Sequence, residues 1–140
     1  MVSKETREKR RKQTAEVFTP SELVNEILDK LDVSVWENGK TFCDPAAGNG
    51  NFLVEVYRRK VDVYGHDALT ALKTIYGVEL MQDNVDEMHE RLLDIAVAHG
   101  VERGTAREIL QRNIVCHDAL TYDFTFGEPK RFAFGGLTSK

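Results

Sequence analysis

The chain has 140 residues, 41% of them hydrophobic and 30% charged, with a formal net charge of −4. That is one domain's worth of chain with material for a real core, and it argues against wholesale disorder. No apolar run approaches the roughly 20 residues of a membrane span, and no apolar segment follows the charged N-terminus as a secretory leader would require.

The charge is uneven along the chain. Residues 1–12 carry Lys4, Arg7, Lys9, Arg10, Arg11 and Lys12 against Glu5 and Glu8, whereas the rest is acidic on balance. Residues 1–15 are therefore set apart as a basic N-terminal arm, and residues 16–140 as the folded domain. A basic arm on an acidic body suits contact with phosphates. The plainer alternative, preferred on the residues alone, is a solvated helix end with Glu5–Lys9 and Glu8–Lys12 paired at i, i+4.

Thr19-Pro20-Ser21-Glu22 predicts a helix start, with Thr19 as N-cap, Pro20 at the first helical position and Glu22 three residues after the cap. Leu23, Val24, Ile27, Leu28 and Leu31 follow at helical spacing, so this helix is expected to reach about Leu31 or Asp32. Thr41 to Asp44 reads as a short buried strand, and Pro45 to Asn51 as a turn of small residues. Phe52 to about Arg59 reads as a helix with Phe52, Leu53 and Val56 inward. A short helix is expected over 66–72 and a second strand over 74–79. A long amphipathic helix follows from about Asp83 to His99, stopped by Gly100. A shorter helix near Thr105 to Gln111 and a third strand over 113–116 complete the pattern. Cys43 and Cys116 lie in the strand-like runs and are expected to be buried, reduced thiols, with neither disulfide nor metal role.

Helix, then strand–helix–strand–helix–strand, predicts an α/β Rossmann-like parallel sheet with flanking helices and right-handed crossovers. Ligands of such sheets sit beyond the carboxyl ends of the strands. Three successive strands deliver an acid there: Asp44, Glu79 and Asp118. Gly48 and Gly50 allow a tight bend and close approach of a ligand. The helix N-terminus that follows favours an anionic or polar group. A glycine turn of this kind also occurs with no ligand at all. Glu79 is suited to accept from both ribose hydroxyls of a nucleoside. It lies 35 residues beyond Asp44, against about 20 in the compact dinucleotide fingerprint, and the short helix over 66–72 accounts for the difference. Asp118 is suited either to the exocyclic amine of an adenine or to plain turn formation.

Asp44-Pro45-Ala46-Ala47-Gly48-Asn49-Gly50-Asn51-Phe52 resembles the Asp-Pro-x-x-Gly-x-Gly-x-Phe motif of N6-adenine DNA methyltransferases. Phe18-Thr19-Pro20 resembles the segment that precedes that motif in the same enzymes. Gly77-Val78-Glu79-Leu80 resembles their ribose-binding strand end, and Cys116-His117-Asp118-Ala119-Leu120 their adenine-contacting segment. The resemblance covers roughly residues 16–120 in the family's order. It implies a truncated class I methyltransferase fold of about three to four strands, with residues 16–140 binding S-adenosylmethionine. Phe18, Thr19 and Pro20 would hold the methionine carboxylate or amine, and Asp44 would orient that amine. Pro45, Ala46, Asn49, Asn51 and Phe52 belong to the same cofactor-binding motif, in which Gly48 and Gly50 let the backbone lie against the ligand. Glu79 would bind the ribose, Leu80 would pack on the adenine, and Asp118 with Ala119 would meet the adenine amine.

The pattern breaks on the acceptor side. The family's Asn/Asp-Pro-Pro-Tyr/Phe tetrapeptide grips the target amine and stacks on the flipped base, and this sequence has none. The nearest run, Gly127-Glu128-Pro129-Lys130, puts Lys130 where the aromatic belongs and is not equivalent; Phe132 is a weak substitute. No catalytic residue and no metal ligand is assigned. A donor pocket alone supplies affinity but no rate. The first strand is expected to leave an open sheet edge, covered by residues near 131–137, by a second protein chain or by a homo-oligomer contact. The resulting expectation is a cytoplasmic protein of a bacterial or phage-infected cell, linked to adenine-N6 DNA methylation, with DNA reached through the basic arm or a partner subunit. The alternatives are a catalytically inactive cofactor-binding, decoy or regulatory module, and a methyltransferase of RNA or small molecules.

Overall fold

The computed structural model describes residues 19–127, together with residues 3, 4 and 6. Most of the basic arm, Phe18, residues 128–130, Phe132 and the proposed edge cover at 131–137 lie outside the described residues.

Three parallel strands carry the fold: β1 (Phe42–Asp44), β2 (Ile75–Glu79) and β3 (Ile114–Cys116), in that spatial order. Asp44 lies opposite Gly77, and Glu79 opposite Cys116. The helical elements are α1 (Ser21–Asp29), a 3₁₀ turn (Val33–Trp36), α2 (Asn51–Arg58) continuing as a π-helical turn (Arg59–Val63), α3 (Ala68–Leu72), α4 (Gln82–Ala98) and α5 (Arg103–Asn113). The expected α/β Rossmann-like arrangement is present, with three strands among the described residues. No described helix is long and apolar enough to cross a membrane.

Local chemistry explains most of the boundaries. Asp67 starts α3 by accepting from Thr70 N, and Glu102 starts α5 by accepting from Gly104 N and Thr105 N. Each cap satisfies donors that a helix start leaves unpaired, and the Glu102 cap makes α5 longer than its apolar spacing suggested. Gly100 ends α4 at φ 90, where Val101 N donates back to Ala96 O.

The start of α1 corrects the expected cap. Thr19 is not the N-cap; Pro20 occupies that position with ψ 150 and no side-chain cap bond forms. Pro20 is itself extended and so takes the cap position in place of the first helical one, which leaves Thr19 one residue further out with its carbonyl bonded elsewhere. The helix also ends earlier than expected, at Asp29. Asp32 then accepts from Ser34 N (2.9 Å) and opens the 3₁₀ turn.

The core lies between the sheet and its helices, around Leu53, Val56, Tyr57, Leu72, Ile75, Met88, Leu92, Leu110 and Ile114. Gly77 marks the tightest approach of α2 to β2: a Cβ there would meet Leu53 Cδ1 at 2.8 Å and Ala47 Cβ at 3.3 Å. The opposite face of β2 presents Tyr76. Phe126 packs on that ring at 4.9 Å and joins Tyr122 and Phe124 in an aromatic cluster. Phe124 and Phe126 take φ 57 and 46, a left-handed backbone that costs about 1–2 kcal/mol per residue.

Both cysteines are free, but they are exposed rather than buried. Cys43 shares the Tyr76 face, away from α2, on an edge strand of only three residues. Cys116 is the last residue of β3. Residual desolvation raises both thiol pKa values. The Asp44 carboxylate adds to this at Cys43, and Glu79 and Asp86 add to it at Cys116.

The outer side of β1 carries no strand among the described residues. An apolar groove of about 260 Å³ runs beside it, lined by Ile27, Leu28, Leu31, Phe42, Phe52 and Val56 among others.

Lys60, in the π-helical turn, is fully buried. Its ammonium donates to Lys40 O and to Thr74 Oγ1, and it sits 5.3 Å from the Phe42 ring centre. Burial pulls its pKa from 10.5 down to about 8. Between those values the unfolded chain binds more protons than the folded one. Stability therefore rises as pH increases from about 8 to about 10.5. Thermal unfolding is expected to show Tm climbing through that window, with the climb reduced in Lys60→Met; a flat wild-type profile would count against a buried charge here.

Candidate functional site

The chain turns immediately after β1. Asp44 Oδ1 accepts from Ala46 N (3.0 Å), Ala47 N donates to Val78 O on β2 (3.0 Å), and Gly50 N donates to Ala47 O (3.0 Å). Gly48 and Gly50 take φ 58 and 95, where a side chain would strain the backbone. Gly50 is also the N-cap of α2, and a Cβ on it would meet Met88 Cγ of α4 at 2.7 Å. Glycine is required here twice, by backbone angle and by close packing. Burial raises the pKa of Asp44; the Ala46 bond opposes that rise and the Glu79 charge adds to it.

Glu79 is buried at the end of β2. Its Oε1 accepts from Gly48 N (2.8 Å), and its Oε2 from Met81 N (3.1 Å) and Asn84 Nδ2 (3.1 Å). The strand end, the glycine turn and the start of α4 thus meet on one carboxylate. A carboxylate offers about four acceptor positions, and three are in use, so a ribose hydroxyl there would share Glu79 with the turn or displace it.

Helix α4 supplies two side chains that no motif in the sequence marks. Arg91 Nη1 donates to Asn49 O (2.9 Å) and to Asn51 Oδ1 (3.0 Å), and Asn51 Nδ2 donates to Thr19 O (2.8 Å). Asn49 Nδ2 donates to Glu87 Oε2 (3.4 Å). In the sequence, Glu87 and Arg91 are an i, i+4 charged pair on an amphipathic helix, a pattern that also fits an ordinary solvated face.

Asp118 lies just past β3 and is exposed. Its Oδ1 accepts from Leu120 N (2.9 Å), and its carbonyl accepts from Thr121 N and Tyr122 N. It forms a turn, as one of the two sequence-based alternatives expected. His117 N donates to Glu79 O (2.9 Å) and Cys116 Sγ to Leu80 O (3.3 Å), so the ends of β2 and β3 are stitched side by side. Leu80 and Leu120 are 57% and 93% exposed and Ala119 is half-buried. Pro45 and Ala46 are exposed on the turn, and Pro20 is exposed at the start of α1.

The structure therefore gathers Thr19, Asp44, Ala46, Gly48, Asn49, Asn51 and Phe52 around one cleft, with Glu79 beneath the turn. The cleft holds about 30 Å³, room for one or two waters. It shares Asp44 and Phe52 with the larger groove beside β1. A nucleoside-sized ligand at this edge would lie across the open carboxyl ends of the strands, not inside a closed cavity. Backbone freedom at the glycines, a half-buried acid at the head of the turn and a second acid on the next strand form a set of acceptors that fits a cationic, nucleoside-bearing group.

The family model for N-6 DNA methylases matches residues 2–111. The chain belongs to the N-6 DNA methylase family. It is 40% identical over 53 residues to the type II methyltransferase M.VspI of Vibrio sp. (strain 343), a stretch that covers 36% of this chain and 12% of the relative. It is 39% identical over 64 residues to the type I restriction enzyme MjaVII methylase subunit of Methanocaldococcus jannaschii, covering 46% of this chain and 10% of the relative. The matched stretches thus span about a tenth of the length of these curated relatives. No solved structure gives a significant match. This is the family whose glycine motif the run from Asp44 to Phe52 resembles, and in this member that run lies at the carboxyl edge of the sheet.

Proposed function

We propose that this chain binds S-adenosylmethionine across the carboxyl edge of β1, β2 and β3 and supplies the methyl-donor side of adenine-N6 DNA methylation. The observation that carries the proposal is the glycine turn at the end of β1, bonded through Gly48 N to the Glu79 carboxylate of the next strand. The cofactor, when bound, supplies an electrophilic methyl on a sulfonium. The chain's own residues do the holding. Asp44 offers its carboxylate to the methionine ammonium, with Thr19 and its neighbours at the same end. Gly48 and Gly50 keep the turn's backbone open to the ligand. Glu79 accepts from the ribose, Leu80 packs on the adenine, and Asp118 accepts from its amine.

Methyl transfer also requires the acceptor nitrogen to be held in line. We assign that role to a partner, either a second protein chain or a second copy of this one. One relative is by name a methylase subunit of a type I restriction enzyme, which supports a multi-chain arrangement. The basic arm would meet DNA phosphates, and the setting would be the cytoplasm of a bacterial or phage-infected cell.

Calorimetric titration with S-adenosylmethionine tests the donor half. Asp44→Ala is expected to weaken binding tenfold or more, about 1.4 kcal/mol or above. A well-folded wild-type chain that binds no S-adenosylmethionine would sink the proposal. Transfer of a labelled methyl group to DNA, assayed with the chain alone and with proteins it captures, tests the acceptor half. Transfer to RNA or a small molecule but not to DNA would reverse the substrate assignment.

A further inference from the structure

We propose that Arg91 is a positioning residue of this site. Its guanidinium braces the glycine turn against the segment entering α1, and so sets the width of the cleft at the methionine end, resting on the cofactor proposal above.

Arg91 is half-buried on α4, and it is absent from the lining of the cleft. It acts through residues that do line it. A single nitrogen, Nη1, reaches Asn49 O inside the turn and Asn51 Oδ1 at the first residue of α2. A guanidinium only donates, so it obliges the Asn51 amide to face it with oxygen. The Nδ2 of Asn51 is then left pointing at Thr19, whose carbonyl it meets at 2.8 Å. Residues 19, 49–51 and 91 are far apart in sequence and form one continuous chain of hydrogen bonds.

The brace adds to the turn's own bonds, from Gly48 N to Glu79 and from Gly50 N to Ala47 O. Gly48 and Gly50 flank Asn49, which gives the turn backbone freedom. Thr19 precedes a helix that has no side-chain cap. A donor that carries a full charge makes stronger hydrogen bonds than a neutral one, and Arg91 directs such a donor at the Asn49 carbonyl and the Asn51 amide. Asn49 is held a second time, more loosely, by Glu87 Oε2 at 3.4 Å. Thr19, Asn49 and Asn51 border the cleft together with Asp44. A shift of the brace therefore changes the distance between the Thr19 segment and the acid at the head of the turn.

The test uses Arg91→Met, Arg91→Lys, Asn51→Asp and the Arg91→Met/Asn51→Asp double variant, each with two readouts. Asn51→Asp keeps an acceptor for Arg91 but places an oxygen where Nδ2 faced the Thr19 carbonyl. The first readout is the Kd for S-adenosylmethionine. Arg91→Met and Asn51→Asp are each expected to weaken it about tenfold, and the double variant no more than the worse single, because both cut the same chain of bonds. Arg91→Lys keeps a charged donor and is expected to recover part of the loss. The second readout is the ¹⁵N spectrum of the Asn51 side-chain amide in ligand-free protein. That signal is expected to be shifted and slow to exchange in the wild type and in Arg91→Lys, and solvent-like in Arg91→Met. An Asn51 signal unchanged in Arg91→Met overturns the brace whatever the affinity, and so do additive losses in the double variant. A wild-type chain that binds no S-adenosylmethionine overturns the cofactor proposal instead, and the Asn51 signal still decides the brace.

Discussion

Glu79→Ala is expected to lower folding stability by about 3 kcal/mol, since each buried donor left without an acceptor costs about 1–3 kcal/mol and water partly rescues them. Gly48 N, Met81 N and Asn84 Nδ2 all lose their acceptor in that variant. Glu79→Gln keeps one oxygen of the same shape and is expected to fall between the two. Urea unfolding gives the measurement, read as a shift in midpoint at constant m. The affinity for S-adenosylmethionine should fall further than in Asp44→Ala, because the turn loses its anchor along with the ribose acceptor. A Glu79→Ala chain as stable as wild type would mean that this carboxylate does not hold the turn, and a binding loss without a stability loss would make Glu79 a ligand contact only.

Gly50→Ala is expected to cost about 2–5 kcal/mol, the sum of about 1–2 for left-handed backbone and about 1–3 for overpacking. The overpacking comes from Met88 Cγ, 2.7 Å from the added Cβ, on a side chain that is fully buried. Gly39→Ala is the control. Gly39 has φ 86, close to the φ 95 of Gly50, but nothing lies within 4 Å of its added Cβ. It should show the backbone part alone. Thermal unfolding of the two variants side by side separates the effects. Equal losses would show that Met88 yields and that backbone angle alone demands glycine at the turn.

The strands, their terminal acids and the glycine turn were legible in the sequence because each rests on short-range chemistry: apolar runs, turn formers and carboxylates at run ends. What a residue bonds to was less legible. The position of Glu79 follows from the strand pattern, yet its carboxylate turns inward to three protein donors as well as lying at the proposed ribose position. The cap signature at Thr19 was present, but Pro20 is extended and takes the cap position itself, and the Asn51 amide bonds the Thr19 carbonyl. The expected burial of Cys43 assumed cover on both faces of a strand that proves to be a three-residue edge. Lys60 lies just past the helix end expected at about Arg59, and nothing in the sequence marked it; a π-helical turn continues the chain after Arg58, and Lys60 is buried within it. Arg91 needed the tertiary fold, since its partners lie some 40 residues upstream.

Trp36 is the chain's single tryptophan. It is 4% exposed and sandwiched between Phe42 at 5.3 Å and Tyr64 at 5.2 Å, with the Arg59 guanidinium 6.0 Å from its ring. The sandwich draws on the 3₁₀ turn, β1 and the residue that follows the π-helical turn, and none of its members borders the cleft over the glycines. Its fluorescence is therefore an optical gauge of one end of the domain. Emission is expected to shift to the red when the rings part and to hold still when a ligand settles at the glycine turn. Phe42 also borders the apolar groove beside β1, so a polypeptide lodging there changes the quenching of the same indole. One native chromophore would thus distinguish an occupied sheet edge from an occupied cofactor cleft, with no label added.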